Sequence, residues 1–284
     1  MTESSFNQNY ANLKDVRLKY VTLGKGKPVL LLHGVPETSY GWRRLMPLLA
    51  DDYMLVAPDL RGLGDSSRPT VGYDKKTIAR DVWQLMHDRL ECERFAVVGH
   101  DWGAPVAFRI AADHPDAVTH LALLDMGVLG DEPEGLGVTP RWHHLFLQVL
   151  DLPEALIVGR ERVIMEFMLY ELADKPGAFS DADINEYLRT YSQPGALRAM
   201  CEYYRAIHQD IADNRATFAT GFKLPMPTLG IGGGGKRGRG EGVVESLRRI
   251  ARHAEGSVIP DCGHWIHEEQ PQELANRLRS FFIQ

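Results

Sequence analysis

Short runs of branched and other apolar residues recur along the chain, and turn-forming residues follow each of them. Pro28–His33, Met54–Ala57, Phe95–Val98, Leu121–Leu124, Thr228–Ile231 and Ser257–Ile259 have this character, and their unbroken apolarity predicts strands covered on both faces. Between them, apolar positions fall at helical spacing, at Ile78, Val82, Leu85 and Met86, at Ala104, Phe108, Ala111 and Ala112, and at Leu274, Leu278 and Phe282. Strands alternating with helices predict a mostly parallel, doubly wound α/β sheet.

The alternation stops from about Gly127 to Phe222. That stretch offers helical stripes, such as Leu145, Val149 and Leu150 or Ile164, Phe167, Met168 and Leu172, broken by Pro153 and by Pro176-Gly177. The predicted organisation is therefore a core domain from residues 1–126 and 223–284, and an all-helical cap from residues 127–222. Such an insertion is expected to lie over the sheet's C-terminal edge, where α/β proteins place ligands.

Composition narrows the function classes. At 284 residues the chain is long enough for a substantial core, and its net charge of −6 argues against a nucleic-acid partner. No apolar run has the length of a membrane span, and the first residues carry no basic stretch leading into an apolar one, so a cytoplasmic protein with no membrane partner is expected. Cys92, Cys201 and Cys262 are widely spaced, which predicts buried thiols and no metal site.

The most informative segment is Gly99-His100-Asp101-Trp102-Gly103, where a strand ends and a helix follows. Small-x-nucleophile-x-small is the spacing of a sharp turn that thrusts its central side chain above the sheet. An aspartate there also reads as a helix cap, so its neighbours decide. Upstream, Leu32-His33-Gly34-Val35-Pro36 and Asp59-Leu60-Arg61-Gly62 each follow a strand; downstream, Pro260-Asp261-Cys262-Gly263-His264-Trp265 follows the last one.

This ordered set resembles the α/β-hydrolase superfamily, and the aspartate-centred motif resembles its epoxide hydrolase and haloalkane dehalogenase branch. A carboxylate is already anionic at neutral pH, so it attacks an sp³ carbon without a base and leaves an ester on itself. The resemblance implies Asp101 as nucleophile and His264 as the base that activates water against that ester. It puts the histidine's acid after the strand before the cap, at Asp125, or after the strand that follows it, where Glu241 is the first carboxylate. The amides of Val35 and Trp102 are implied as oxyanion donors, and Trp102, His33, Pro36 and Trp265 as substrate-lining residues. In the cap, Trp142-His143-His144 and Tyr203-Tyr204 resemble segments that place a His and a Tyr over the nucleophile; these map onto His143 and Tyr204, with His144 and Tyr203 as rivals.

The expected activity is conversion of an epoxide to a vicinal diol, with a small-molecule epoxide as partner and no cofactor; homodimer formation is compatible with the resemblance. Dehalogenation of a haloalkane or haloacid is the alternative. Against it, Trp102 and Pro105 stand where haloacetate dehalogenases carry arginines, and Val35 stands where a halide-binding Asn would be, leaving Trp142 as a second halide donor. A non-catalytic binder on the same scaffold is a further alternative. Gly230 to Lys236 nearly spells a phosphate-binding loop, but Arg237 replaces the hydroxyl that would hold magnesium.

Overall fold

The computed structural model describes residues 6–132 and 141–283. Its strands are β1 (Asn7–Asn12), β2 (Arg17–Leu23), β3 (Lys27–Leu32), β4 (Tyr53–Pro58), β5 (Phe95–His100), β6 (Val118–Leu124), β7 (Thr228–Gly233) and β8 (Ala254–Ile259). They form one eight-stranded sheet in the order β1-β2-β4-β3-β5-β6-β7-β8. From β4 onward the pairings are parallel, while β1 and β2 add an antiparallel hairpin at one edge.

The alternate residues of each central strand feed two cores, as the pleat requires. Leu30 and Leu32 of β3 join Val97, Ile78, Val106, Ile110 and Leu247 on one face. Val29 and Leu31 join Val98, Leu124, Leu274 and Leu278 on the other. The first face is covered by α2 (Lys75–Trp83), α3 (Gly103–Asp113) and, towards the C-terminus, a helix over Gly242–Ile250; the second by α1 (Met46–Leu49) and the terminal helix over Pro271–Phe282.

Between β6 and β7, every described regular element is helical: α4 (Trp142–Phe146), α5 (Leu152–Ile157), α6 (Glu161–Leu172), α7 (Asp181–Tyr191), α8 (Ala196–Arg205) and α9 (Ile207–Ala219). The Gly242–Ile250 helix is α10, the turn over Ile266–Glu269 is α11 and the terminal helix is α12. Local chemistry sets helix ends within this insertion. Ser180 and Asp183 form a reciprocal capping box at the start of α7, and Gly195, at φ 80°, reverses the chain into α8. Among the described residues, no helix is long and apolar enough to cross a membrane.

Two features differ from the sequence pattern. The β1–β2 hairpin has no apolar run because β1 is an edge strand whose residues are exposed except Ala11. The Leu145, Val149 and Leu150 stripe does not face the core: these side chains are 65%, 44% and 72% exposed, on the outer surface of the cap. An isolated helical stripe indicates an apolar face without saying what covers it.

The turn between β5 and α3 leaves no room for a side chain on its flanking glycines. An added Cβ on Gly103 would sit 2.2 Å from the Leu32 carbonyl oxygen, and one on Gly34 would sit 2.3 Å from the Asp101 Cβ. Gly103→Ala is expected to destabilise the fold by about 2 kcal/mol or more, because the obstructing atom is backbone. Gly242→Ala, where a Cβ meets nothing within 4 Å, should change stability by less than about 0.5 kcal/mol. Urea denaturation checks both, and equal midpoints for the two variants would contradict this account.

Candidate active site

Asp101 occupies the turn with φ at 47°, in the left-handed region that few non-glycine residues adopt. This conformation lets β5 pass directly into α3 and raises the carboxylate above the sheet's edge. Its two oxygens have different partners. Oδ1 accepts a hydrogen bond of 3.0 Å from the Val35 amide, and Oδ2 lies 3.2 Å from His264 Nε2.

His264 arrives from the turn after β8, and its other nitrogen, Nδ1, is 2.6 Å from Asp125 Oδ2. Asp125 follows β6, also at positive φ, and its Oδ1 accepts bonds from the Gly233 amide at 2.9 Å and the Arg239 amide at 2.7 Å. An acceptor so placed takes the Nδ1 proton and leaves Nε2 turned towards Asp101. Glu241, the other candidate acid, is exposed at the start of α10, whereas Asp125 stands beside the imidazole.

Electrostatics keep Asp101 ionised. Burial would push its carboxyl up, but the hydrogen bond and charge of His264, the charge of His100 and the Val35 amide together hold it far below the ordinary carboxylate range. Over it stands an aromatic group from the cap. The Tyr204 ring meets Trp102 edge-on at 5.0 Å and His143 at 5.9 Å, and the His144 ring lies 5.7 Å from Tyr204. Burial lowers His143 to about 3 and His144 to about 4, and raises Tyr204 well above the usual phenol value. Near neutrality all three are uncharged, and Tyr204 retains its hydroxyl proton.

Other sequence-derived candidates take different places. Tyr203 points into the core, where its hydroxyl donates to the Arg61 carbonyl at 2.8 Å. His33 bridges backbone: its Nε2 accepts from the Leu60 amide at 3.0 Å and its Nδ1 is 2.8 Å from the Gly34 carbonyl. Trp265 donates through its indole to the Leu169 carbonyl of α6, at 2.8 Å, and so ties the core to the cap. Pro36 follows a cis peptide bond beside the Val35 amide. His33 and Trp265, read from sequence as substrate-lining, thus have their polar atoms committed to bracing. Trp142 is 49% exposed and packs on Phe146, Phe167 and the His143 ring. The glycine-rich segment does not cradle a phosphate in this conformation, since the amides of Gly233, Gly234 and Gly235 bond Asp125, Ile259 and Cys262.

Sequence reasoning missed the groups behind the site. His100 Nε2 donates to the His264 carbonyl at 2.9 Å, and its Nδ1 is 3.1 Å from Glu37, which also bonds His267 at 2.8 Å. Burial would lower His100, but the bond and charge of Glu37 raise it, and Glu37 is in turn held well below its usual value against its own burial by His267 and His100. The donor atoms of Glu37, His100 and His267 lie within 4.8 Å of one another, but they are engaged in these mutual bonds. Beneath Trp102, the Lys75 ammonium lies 4.4 Å from the ring centroid and pairs with Asp210 at 2.9 Å. No periodicity or motif marks Glu37, Lys75 or Asp210, because their partners are remote in sequence.

This fold and site belong to a known class. Residues 27–271 match the model of the family described as alpha/beta hydrolase fold. The chain is 36% identical to the soluble epoxide hydrolase of Corynebacterium sp. (strain C12), over 99% of its own length and 98% of the relative's. It is also 36% identical to a fluoroacetate dehalogenase of Burkholderia sp, over 71% of this chain and 69% of that one. Among solved structures, wild-type Cfl2 from Burkholderia cenocepacia superposes with a TM-score of 0.90 at 43% identity, covering 98% of this chain and 96% of that one. Epoxide hydrolase CorEH superposes with a TM-score of 0.88 at 33% identity, covering 98% and 99%. The chain belongs to the α/β-hydrolase family, in its epoxide hydrolase branch.

Glu37→Gln would leave the buried His100 without its anion, and a loss of about 3–5 kcal/mol is expected. A carboxyl lowered by folding contributes stability above its unfolded pKa and loses it as pH falls; a raised imidazole contributes below its unfolded value and loses it as pH rises. The deficit of the variant should therefore be largest between about pH 5 and 6.5 and shrink on acidification. Melting temperatures from about pH 3 to 8 test this, and a deficit independent of pH across that span would refute it.

Proposed function

We propose that the protein is an epoxide hydrolase that works without a cofactor, through an ester on Asp101. The observation that carries this reading is the division of labour between the two oxygens of one dry, ionised carboxylate. Oδ1 is held by the Val35 amide, which leaves Oδ2 as the attacking atom. Oδ2 displaces the ring oxygen from an epoxide carbon: a C–O bond to Asp101 forms, the ring C–O bond breaks, and the departing oxygen takes a proton. Tyr204, uncharged and facing the nucleophile beside Trp102, supplies that hydrogen bond and proton, assisted by neutral His143.

Esterification removes the charge next to His264 Nε2. Water then occupies the space between that nitrogen and the ester carbon, gives its proton to Nε2 and adds at Cγ, while Asp125 steadies the resulting imidazolium. Negative charge collects on Oδ1, which already faces the Val35 amide; the Trp102 amide is the second donor in this reading. Collapse breaks the ester C–O bond at Cγ: the imidazolium gives its proton to the departing alkoxide to release the diol, and the new carboxyl of Asp101 gives up its proton to the Tyr204 oxygen, which restores carboxylate, imidazole and phenol. Hydrolytic dehalogenation would use the same Asp101, His264 and Asp125, and the similarity to a fluoroacetate dehalogenase keeps it as the second reading.

Intact mass of His264→Gln protein decides between them. After incubation with an aryl epoxide the adduct should equal the whole epoxide; a gain only from a bromoalkane, equal to the alkyl group without bromine, would move the protein to the dehalogenases. In the unaltered protein, the rate of ring opening in a rapid-quench single turnover should be flat between about pH 5 and 7, because Asp101 stays ionised and Tyr204, His143 and His144 stay neutral there. Tyr204→Phe should slow ring opening by about 10²–10⁴-fold and change hydrolysis of a preformed ester little. Equal slowing of both steps would remove its assigned role.

A further inference from the structure

The glycine-rich segment after β7 folds back onto the triad. Gly240 donates to the Gly233 carbonyl at 3.0 Å and Gly235 to the Cys262 carbonyl at 2.8 Å, so the loop closes against the base of the site. A Cβ at Gly238 would lie 2.1 Å from the Gly233 oxygen, and Gly240 has φ of 53°. This tight course puts the Arg239 amide on Asp125 Oδ1, at 2.7 Å, and so anchors an arginine beside the triad acid.

The Arg239 side chain differs from the loop's other arginine. Arg237 is ion-paired with Glu171 at 2.6 Å on the surface. Arg239 is half-buried, its Nε is withdrawn from solvent without a partner, and among the described residues its guanidinium makes no hydrogen bond or ion pair. A second cation stands close by. Arg141 caps α4, the helix that carries His143 and His144, and its guanidinium donates to the Arg237 carbonyl at 2.8 Å. The groups whose charges act on Arg239 are Arg141, which opposes it, and the carboxylates of Asp125 and Asp101, which favour it. Arg141 opens the helix that carries both cap histidines and the Arg239 amide bonds Asp125, so the two arginines sit on segments that meet at the site.

A partly desolvated guanidinium is costly unless an anion meets it. In the resting site the carboxylates of Asp101 and Asp125 offset the pair. Asp125 has both oxygens occupied by His264 and two amides, and Asp101 loses its charge when it is alkylated. An anion brought by the substrate would restore the balance at that step, and a carboxylate suits the planar fork of a guanidinium.

We propose that Arg239, with Arg141 beside it, receives a carboxylate carried by the substrate, so that the preferred substrates are small electrophiles, foremost epoxides, bearing a carboxylate group. The substrate class rests on the reading of the site given above; the anion subsite itself does not. It differs in origin from a clamp built next to the nucleophile, where this chain has Trp102 and Pro105.

Two pairs of probes separate the parts. Calorimetric binding of phenylacetate and phenylacetamide to the unaltered protein requires no turnover: phenylacetate should bind at least about tenfold more tightly, and Arg239→Gln should remove most of that difference. Hydrolysis of 3-phenylglycidate and styrene oxide then reads the substrate class. The ratio of their kcat/KM values should favour the glycidate, fall by about 10–100-fold in Arg239→Gln, fall less in Arg141→Gln, and be partly restored in Arg239→Lys. Should Arg239 serve only to offset the triad's charge, both substrates would slow alike and the ratio would hold, which overturns the proposal. Equal affinity of the unaltered protein for acid and amide overturns it as well. Discrimination in binding with neither epoxide hydrolysed would retain the subsite and reject the epoxide reading.

Discussion

An ionised carboxylate held almost out of water is the constraint around which the rest of this molecule is arranged. Asp101 is only 9% exposed, and burial alone would push its carboxyl towards the protonated form. The structure counters that with an amide on one oxygen, an imidazole on the other and the buried His100 ring behind, each delivered by a different segment of the chain. The cap then adds groups that burial keeps neutral. A charged cap residue at that place would compete for the carboxylate, whereas a neutral phenol can donate a hydrogen bond without forming an ion pair.

The same constraint explains why the frame is rigid where it is. The turn that lifts Asp101 works only because Gly34 and Gly103 let the β3 and β5 loops touch. Core and cap are joined through polar contacts that would be expensive to break in a dry interface: Trp265 to Leu169, Tyr203 to Arg61, and Lys75 to Asp210 beneath Trp102. The first two fix a residue adjacent in sequence to a site group, since Trp265 follows His264 and Tyr203 precedes Tyr204. Bracing a neighbour's backbone is how a buried network sharpens a site it never touches. The Glu37–His100–His267 group does the same for His264, through its carbonyl.

Legibility in the sequence followed locality. Strands β3 to β7 could be read because a strand covered on both faces must be apolar throughout, and glycine and turn residues end β7; β8 showed only its short apolar end, and the expectation that it is covered on both faces fails because it forms the far edge of the sheet and is mostly unburied. The antiparallel β1–β2 edge could not, since Asn7–Asn12 is nearly all exposed and its pairing with β2 is a tertiary fact. Asp101, Asp125 and His264 stood out because each lies in a turn immediately after a strand, where short-range spacing is informative. His33 and Trp265 lie in equally conspicuous turns, yet the structure engages both with backbone carbonyls or amides, and spacing cannot tell a bracing ring from a substrate-facing one.

By itself, then, the order of residues determined the alternation of strands and helices, the helical insertion, and the types of chemical group that end each inner strand. It did so because backbone geometry and hydrophobic periodicity act within a few residues. Tertiary structure alone decided which of Tyr203 and Tyr204 packs on Trp102 and which turns to Arg61, which carboxylate stands beside His264, and that a glycine-rich loop near the C-terminus brings Arg239 to Asp125. Those outcomes depend on contacts across a hundred residues or more, where the winning arrangement is set by packing and by the cost of leaving buried polar groups unpaired.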